Sequence, residues 1–543
     1  MPTQSRSEAD VNQSPPYVDV DLYASDPPLR DAVAANGGED EAAALAAFGK
    51  RWGTAEMFEL ARVANENPPR LRAFDARGFR RDVVEFHPAY HQLMAESIAA
   101  GLASSTWRED AAPAAAPAQV TRAARFYMAA QVETGHLCPI TMTRAAPAAL
   151  AAEPALLAQL MPKIMSRRYD PDFRPWWEKT AVTLGMGMTE RQGGTDVRTN
   201  TTRAEPAGEG YAVTGQKWFM SAPMCDAFLV LAQAPSGLTC FLMPRFRPDG
   251  SVNALHFQRL KDKLGNRSNA SGEVEFAQAA AWRVGEEGRG VRTILNMVQL
   301  TRLDCAIASA GIMRIALAQT IHHARHRTVF GKPLVDQPLM RSVLADMALE
   351  AEAATALVLR LARSFDLASS DPREAARARL LTAAVKYQVC KAAPGFIYEA
   401  MECLGGNGYV EESVLPRLYR EAPVNAIWEG SGNVMCLDVL RALAAERDVP
   451  GALAAEAADL PGARAAAEFI ADTLLAGNGE ARSRAAVERL ALLAAAAALR
   501  RSAPPAVAEL FARTRLGERR GATYGTSDIG SDEARALIDR ALP

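Results

Sequence analysis

One stretch of the chain changes its residue pattern abruptly, and this change constrains the fold more than any other feature. In residues 25–174, Ala and Leu recur at the spacing of helices. In residues 180–276, apolar and polar residues alternate over short runs, and turns that contain Gly or Pro separate these runs. From residue 288 the helical period returns in runs long enough for bundle helices. These runs cover residues 294–327, 338–367 and 373–403. The pattern predicts a mainly α protein with a central antiparallel β domain.

The chain has 543 residues, which is longer than a single domain with one hydrophobic core usually is, so several domains are expected. We predict four consecutive ones. They are an N-terminal helical domain at 1–180, an antiparallel β domain at 181–285, a helical bundle at 286–441 and a C-terminal helical domain at 442–543.

Charge and composition narrow the class of protein. A net charge of -2 supplies no general attraction for nucleic acid or anionic membrane, so any such binding must come from a local patch. The first 21 residues lack the basic and then apolar run of a secretory signal, and no uninterrupted apolar stretch reaches about 20 residues. We therefore expect a cytoplasmic protein. The 7 Cys residues are scattered without a Cys-x-x-Cys pair, which predicts mostly buried, reduced core residues.

A glycine-rich stretch opens the predicted β domain. Residues 185–196 interleave glycines with Thr189 and Thr195, so backbone amides and hydroxyls are available to a flat polar ligand such as a flavin edge or a phosphate. A strand-to-turn connection needs no ligand, and it is the more common explanation for the glycines alone.

A second candidate is the strand at residues 217–221. Alternation directs Phe219 and Ser221 to one face, where a ring and a hydroxyl could cover and bond a flavin. An ordinary half-buried strand has the same pattern and is the more frequent case.

The third candidate is Glu429, which lies between Trp428 and the flexible Gly430-Ser431-Gly432. Apolar neighbours disfavour the ionised carboxylate and raise its basicity, as a proton-abstracting group requires. An isolated Glu in a loop is more often simply solvated.

Four separated motifs bring these candidates together. They are Thr189-Glu190 with Gly194-Thr195-Asp196, then Arg327-Thr328-Val329-Phe330-Gly331, then Leu404-Gly405-Gly406-Asn407-Gly408-Tyr409, and Glu429-Gly430-Ser431. Their order and spacing resemble the acyl-CoA dehydrogenases. Residues 259–270 and 415–420 are similar to the AidB-like branch, the adaptive-response flavoproteins. The resemblance covers roughly residues 15–441.

The resemblance implies a fold and a cofactor. Its members have a helical domain, an antiparallel β-barrel domain and a second helical bundle, and they form homotetramers with FAD at a subunit boundary. Flavin-contacting positions correspond to Met186, Met188, Thr189, Thr195, Phe219, Met220 and Ser221. Other FAD positions correspond to Ser431 and Asn433, and to Arg327, Phe330 and Gly406 from a neighbouring subunit. Phe219 replaces a common Trp, and Glu402 replaces a common Gln.

The resemblance also implies a reaction. Glu429 takes the α-proton of an acyl-CoA thioester, and the β-hydride passes to the flavin. Arg302 corresponds to a substrate-binding arginine, although Gln299 stands where relatives carry Asp. AidB-like proteins resemble isovaleryl-CoA dehydrogenases, which implies a short branched acyl chain. The electron acceptor is left open.

A different class of function is a flavoprotein that binds double-stranded DNA and protects it against alkylation, with a weak or vestigial dehydrogenase activity. The resemblance associates DNA binding with the C-terminal domain, where a local basic cluster occurs. We predict the DNA-binding residues to be Arg513, Arg515, Arg519 and Arg520. Acidic residues are about as frequent there as arginines, and a solvated helix face accounts for such a cluster more simply.

Three histidines, His322, His323 and His326, fall close together in an Arg-rich helical run. We predict a surface or subunit-contact role for them and no metal site.

Overall fold

The computed structural model describes residues 12–107, 117–474, 479–517 and 521–543. The helices in chain order are α1 Pro27–Ala35, α2 Ala42–Trp52, α3 Ala55–Glu66, α4 Pro88–Ala99, α5 Ala118–Val132, α6 Leu137–Leu150, α7 Pro154–Ile164, α8 Gly290–His326, α9 Pro338–Leu367, α10 Pro372–Leu404, α11 Val414–Ile427, α12 Gly432–Leu443, α13 Val449–Glu456, α14 Ala463–Leu474, α15 Gly479–Ser502, α16 Pro505–Ala512 and α17 Ser531–Ala541.

The strands follow the same numbering in chain order. They are β1 Arg70–Phe74, β2 Arg80–Glu85, β3 Leu184–Gly187, β4 Arg203–Ala207, β5 Gly210–Ser221, β6 Ala227–Ala234, β7 Gly237–Pro244, β8 Leu255–Leu260, β9 Ser271–Val284, β10 Thr328–Val329 and β11 Lys332–Pro333. The predicted change from helices to strands and back to helices is confirmed in outline, but the prediction missed the hairpin β1–β2, which lies inside the first helical stretch.

The chain divides into two compact units, and neither is continuous in sequence. Unit 1 contains residues 1–55, 114–132 and 302–543, and unit 2 contains residues 56–113 and 133–301. The grouping interleaves N-terminal and later segments, because helices far apart in sequence share one core. The four consecutive domains stay a prediction.

Unit 2 is organised around a seven-stranded sheet with the order β3-β5-β4-β6-β7-β9-β8, with additional pairings of β3 with β6 and of β5 with β9. The sheet is mixed, because β6 runs parallel to both β3 and β4. The wholly antiparallel barrel that we predicted is therefore wrong. Parallel neighbours need a long crossover, and residues 188–226 provide one between β3 and β6. Alternation along a strand does not reveal the direction of its neighbours.

Unit 1 is a helical assembly in which α9 packs against α5, α10, α15 and α17. The many small Ala side chains on these helices allow close approach of the backbones. The segment after residue 441 is helical, as predicted, and α15 within it packs on α9, α10 and α12. It belongs to unit 1.

Helix α8 is long and apolar enough to cross a membrane by length and composition alone, but 89% of its apolar window is buried inside the protein. Burial of this kind is typical of a core helix of a bundle. The prediction for the cysteines is also confirmed, because all seven are buried and free of disulfides.

A buried carboxylate, Glu133, joins several elements of unit 2. Its oxygens accept hydrogen bonds from Asn65 Nδ2 at 3.0 Å, Ser268 Oγ at 2.8 Å and the Gly135 N–H at 2.9 Å. Nδ1 of the buried His136 lies 2.7 Å away. Burial alone would raise the pKa of Glu133, but the bonds and charge of His136 together with the Asn65 donor lower it to about 2.

We expect this carboxylate to make stability depend on pH. Because its pKa is lower in the folded state than in the unfolded one, it stabilises the fold above pH 4.5 by about 3 kcal/mol and loses that contribution as pH falls towards 2. Urea unfolding should show that the free-energy difference between wild type and Glu133→Gln is largest near pH 6 and shrinks below pH 4.5. A difference that does not change with pH would contradict this assignment.

Candidate active site

Glu429 lies in the short connection between α11 and α12. The Trp428 N–H ends α11 with a hydrogen bond of 3.0 Å to the Val424 carbonyl, and Ser431 is the N-cap of α12. Glu429 has a φ of 58° and Gly430 a φ of 111°. Two successive positive φ values turn the chain sharply, and this conformation is disfavoured for a residue with a Cβ, such as Glu.

Arg302, predicted to bind substrate, braces this turn from α8. It is 5% exposed, and its Nε donates to the Glu429 carbonyl at 2.9 Å. Its Nη1 donates to the Asp438 carboxylate of α12 at 2.7 Å, and Asp438 also accepts from Arg379 at 2.9 Å. These contacts favour a role in positioning the turn.

Glu429 is half-buried, and its carboxylate is close enough to Cys305 of α8 to affect the thiol electrostatically. Burial raises the pKa of the neighbouring Cys305 thiol, which the Lys386 charge opposes, while Cys390 and the Glu429 carboxylate raise it further. Trp428 is held nearby because its Nε1–H donates to Asn425 Oδ1 at 3.0 Å, and Asn425 Nδ2 donates to Ser309 Oγ at 3.2 Å. Glu429 is therefore partly withdrawn from solvent, and the indole ring of its chain neighbour Trp428 is held in place by Asn425.

Beyond the turn, α12 begins with Gly432, and the side chains of Ser431 and Asn433 are exposed. The first N–H groups of a helix lack internal partners and attract negative charge. Ser431 and Asn433 therefore lie where hydroxyl and amide donors could assist in binding a phosphate.

In unit 2, β3 and β5 bring the predicted flavin residues together. Met186 is opposite Ser221 in the antiparallel pairing of these strands. Residues three apart in a regular strand point to opposite faces, yet Lys217 and Met220 are both buried. A register irregularity between them accounts for this. Phe219 lies between them and is 46% exposed. Lys261 Nζ is 4.7 Å from the centre of the Phe219 ring.

The other predicted residues of this group differ in exposure. Met186 and Met220 are buried, whereas Met188, Thr189 and Ser221 are half-buried and Thr195 is exposed in the turn that follows β3. A Cβ on Gly185 would come within 2.8 Å of the Ser221 carbonyl oxygen. Strand packing alone therefore requires this glycine, in agreement with the explanation that needs no ligand.

A buried ion pair, Glu190–Lys217, fixes the loop after β3 and was missed from the sequence. Lys217 Nζ lies 2.8 Å from Glu190, with both side chains 0% exposed. Burial would raise the pKa of Glu190, but the Lys217 ammonium and the donors of Thr201 and Thr202 lower it to about 2. Lys217 Nζ also donates to the Leu231 carbonyl of β6 at 2.7 Å. The one sequence feature that could have indicated this ion pair is a lysine, Lys217, within a strand of alternating pattern.

Comparison with known proteins identifies the family. Residues 12–171 match the adaptive response protein AidB N-terminal domain, residues 185–279 the acyl-CoA dehydrogenase middle domain and residues 288–444 the acyl-CoA dehydrogenase C-terminal domain. The Escherichia coli (strain K12) protein AidB, whose name describes it as a candidate acyl-CoA dehydrogenase, is 54% identical over 434 residues, which are 80% of each chain. This chain belongs to the acyl-CoA dehydrogenase family, in its AidB branch.

Two further similarities concern a nematode relative. Acyl-CoA dehydrogenase family member 11 of Caenorhabditis elegans is 32% identical over 428 residues, covering 75% of this chain and 67% of that protein. The crystal structure of C. elegans ACDH-11 in complex with C11-CoA has a TM-score of 0.85 at 26% identity and covers 99% of this chain and 97% of that one. As a family member, the protein is an FAD-dependent oxidoreductase.

The described residues fit FAD. The partly exposed Phe219 ring suits an aromatic ring system, and the nearby Ser221 hydroxyl suits its polar edge. The oxygen Oε1 of Gln299 is buried and has no hydrogen-bond partner within the described parts of the chain. A bound molecule of the kind that acyl-CoA dehydrogenases bind would supply a hydrogen-bond donor for this oxygen.

Of the three residues predicted to reach a neighbouring subunit, Phe330 and Gly406 are exposed in unit 1 and Arg327 is half-buried. Phe330 and Gly331 form the two-residue turn between β10 and β11, both with positive φ, and Phe330 is 99% exposed. Gly406 is exposed in the turn after α10, and Arg327 is half-buried, with Nη1 donating to the Asn12 carbonyl at 2.7 Å.

Two of the four predicted DNA-binding arginines, Arg513 and Arg515, lie in the described part of the chain, and both contact carboxylates. Arg515 is 7% exposed and pairs with the buried Asp346, and Arg513 lies 3.0 Å from Glu533. Arg519 and Arg520 lie outside the described residues. The two described arginines therefore have intramolecular carboxylate partners, which argues against their binding phosphates.

A cavity of about 620 Å³ lies among helices of unit 1, with Met313, Gln388, Phe469 and Arg515 on its wall. Neither Glu429 nor any residue predicted to hold FAD lines this cavity. It is distinct from the turn that carries Glu429.

Proposed function

We propose that this acyl-CoA dehydrogenase oxidises short branched acyl-CoA thioesters, with Glu429 as the base that removes the α-proton. The observation that carries the proposal is the placement of Glu429. Its carboxylate is half-buried on a sharply turned, braced connection between two helices. A base held in this way loses little freedom when it reacts.

Other residues are proposed to exclude water, to bind the thioester and to hold FAD. Trp428 limits access of water to the carboxylate, and by resemblance the Glu429 N–H donates to the thioester oxygen as negative charge develops there. When bound, FAD supplies the acceptor for the hydride that leaves the β-carbon. Met186, Met188, Thr189, Thr195, Phe219, Met220 and Ser221 are proposed to hold the flavin half, and Ser431 and Asn433 the phosphate side.

Phe330 is proposed to contact FAD of a neighbouring subunit in a homotetramer, together with Arg327 and Gly406. The Phe330 ring is almost fully exposed at the tip of a two-residue turn, so it is accessible to a partner subunit. The cytoplasmic location and a separate C-terminal domain at 442–543 stay predictions. We do not propose DNA binding, because no described contact favours it.

Acyl-chain preference is the test of this function. We expect anaerobic isovaleryl-CoA to bleach the bound flavin at least about tenfold faster than undecanoyl-CoA at equal concentration, because a pocket matched to a short chain gains about 1–3 kcal/mol from fit. Visible absorbance after rapid mixing measures both rates.

Two outcomes separate the parts of this proposal. Faster bleaching by undecanoyl-CoA would overturn the short-chain assignment and bring the protein closer to the C11-CoA-binding relative. Flavin that no acyl-CoA bleaches, in protein with full FAD content, would overturn the dehydrogenase reaction itself.

A further inference from the structure

Three successive main-chain carbonyls around Glu429 each accept a hydrogen bond from a buried cation. Arg302 Nε donates to the Glu429 carbonyl at 2.9 Å. Lys386 Nζ, from α10, donates to the carbonyl on either side, at 2.8 Å to Trp428 and by a short bond to Gly430. One ammonium group therefore spans the residue that carries the proposed base.

The environment of Lys386 is unusual for a lysine. Its side chain is 1% exposed, and buried lysines are normally paired with a carboxylate. In the described ranges, its hydrogen bonds run to these two carbonyls, and none of the ion pairs includes it. Carbonyl dipoles at the end of α11 offset the charge instead. Burying a cation is costly, so its retention against this turn suggests a role beyond packing.

The conformation of the turn explains what the cation does. Glu429 and Gly430 both have positive φ, and such a conformation persists only where surrounding contacts over-determine it. Without the lysine, the Trp428 and Gly430 carbonyls would lose a shared donor, and rotation of the intervening peptides would swing the Glu429 side chain. Arg302 alone holds only the central carbonyl.

Charge provides a second, separable effect. The ionisable groups around the turn are Arg302, Asp304 and Cys305 on α8, Lys386, Cys390 and Lys391 on α10, Asp438 on α12 and Arg484 on α15. Asp304 pairs with Arg122, and Arg302 and Arg379 share Asp438. Since Asp438 offsets Arg302, Lys386 supplies the positive charge next to the Glu429 backbone. A nearby positive charge favours the ionised form of a carboxylate, which is the form that accepts a proton.

We propose that Lys386 is a positioning residue for the dehydrogenase reaction, holding the Glu429 carboxylate in its reactive orientation and in its ionised form. This inference rests on the proposed function, in which Glu429 is the base.

The experiment compares Lys386→Met and Lys386→Gln with wild type as FAD-loaded full-length protein, using reductive bleaching by isovaleryl-CoA. We expect Lys386→Met to lower kcat by about 10- to 100-fold with less than about threefold change in KM, because misorientation of the base costs rate more than binding. The acidic limb of the pH–rate profile should move up by about one unit in both variants, since both lack the charge. Lys386→Gln keeps a donor and should retain more of kcat.

The controls separate this inference from the proposed function. Lys50→Met, which removes an exposed lysine of α2, should behave as wild type. If Glu429→Gln is inactive but Lys386→Met keeps the wild-type kcat and pH profile, the positioning role is wrong and the function stands. If Glu429→Gln stays active, the proposed function itself is wrong. Should Lys386→Met not fold, Lys386→Gln decides, and an unmoved acidic limb in that variant overturns the inference.

Discussion

Glu429→Gln is expected to retain FAD and to slow bleaching of the flavin by acyl-CoA by about 100- to 10,000-fold, because a positioned general base contributes roughly 10²–10⁴-fold and the amide cannot replace it. The substitution changes little in size. The brace from Arg302 and Lys386 is made to main-chain carbonyls, so it remains in place.

Absorbance of the bound flavin after anaerobic mixing with acyl-CoA measures this effect. Glu412→Gln is a matched control, because Glu412 is an exposed carboxylate in the segment before α11. We expect this control to bleach at the wild-type rate. Wild-type bleaching by Glu429→Gln would show that another group removes the proton.

The second large effect concerns the ion pair between Glu190 and Lys217. Lys217→Met leaves the Glu190 carboxylate buried without its counter-charge, and we expect it to lower the free energy of unfolding by about 3–5 kcal/mol. The loop after β3 should loosen as well, because Glu190 organises the Thr201 and Thr202 amides. Urea unfolding and FAD content of the purified protein measure the two consequences.

The double variant Lys217→Met/Glu190→Gln is the appropriate control. It removes both charges, so it should recover part of the stability that the single variant loses. A single variant within about 1 kcal/mol of wild type would mean that water or another cation satisfies Glu190.

Much of the local structure was predictable from periodicity. The helical run at 338–367 coincides with α9, and β6 lies within the stretch at 180–276 for which short strands were predicted. The periods of helices and strands depend on residues that are close in sequence, so they can be recognised without knowledge of the fold. Strand direction is not local, and the parallel pairing of β6 with β3 was therefore missed.

The residues of the candidate site also fall into those that the sequence revealed and those that it did not. Phe219 and Glu429 were found because family motifs and apolar neighbours surround them in sequence. Lys217 and Lys386 were missed because an isolated lysine is normally expected at the surface. Their partners Glu190 and Trp428 are 27 and 42 residues distant in sequence.

The sequence by itself therefore determined the succession of helices and strands, the family and the identity of the proposed base, since each depends on residues adjacent in the chain. Only the tertiary structure decided which cations are buried and which groups they contact. The position of Arg302 illustrates the difference, because it bonds to Asp438 across 136 residues and to the Glu429 carbonyl across 127. Desolvation makes such contacts strong and specific, and it arises only when distant segments pack together.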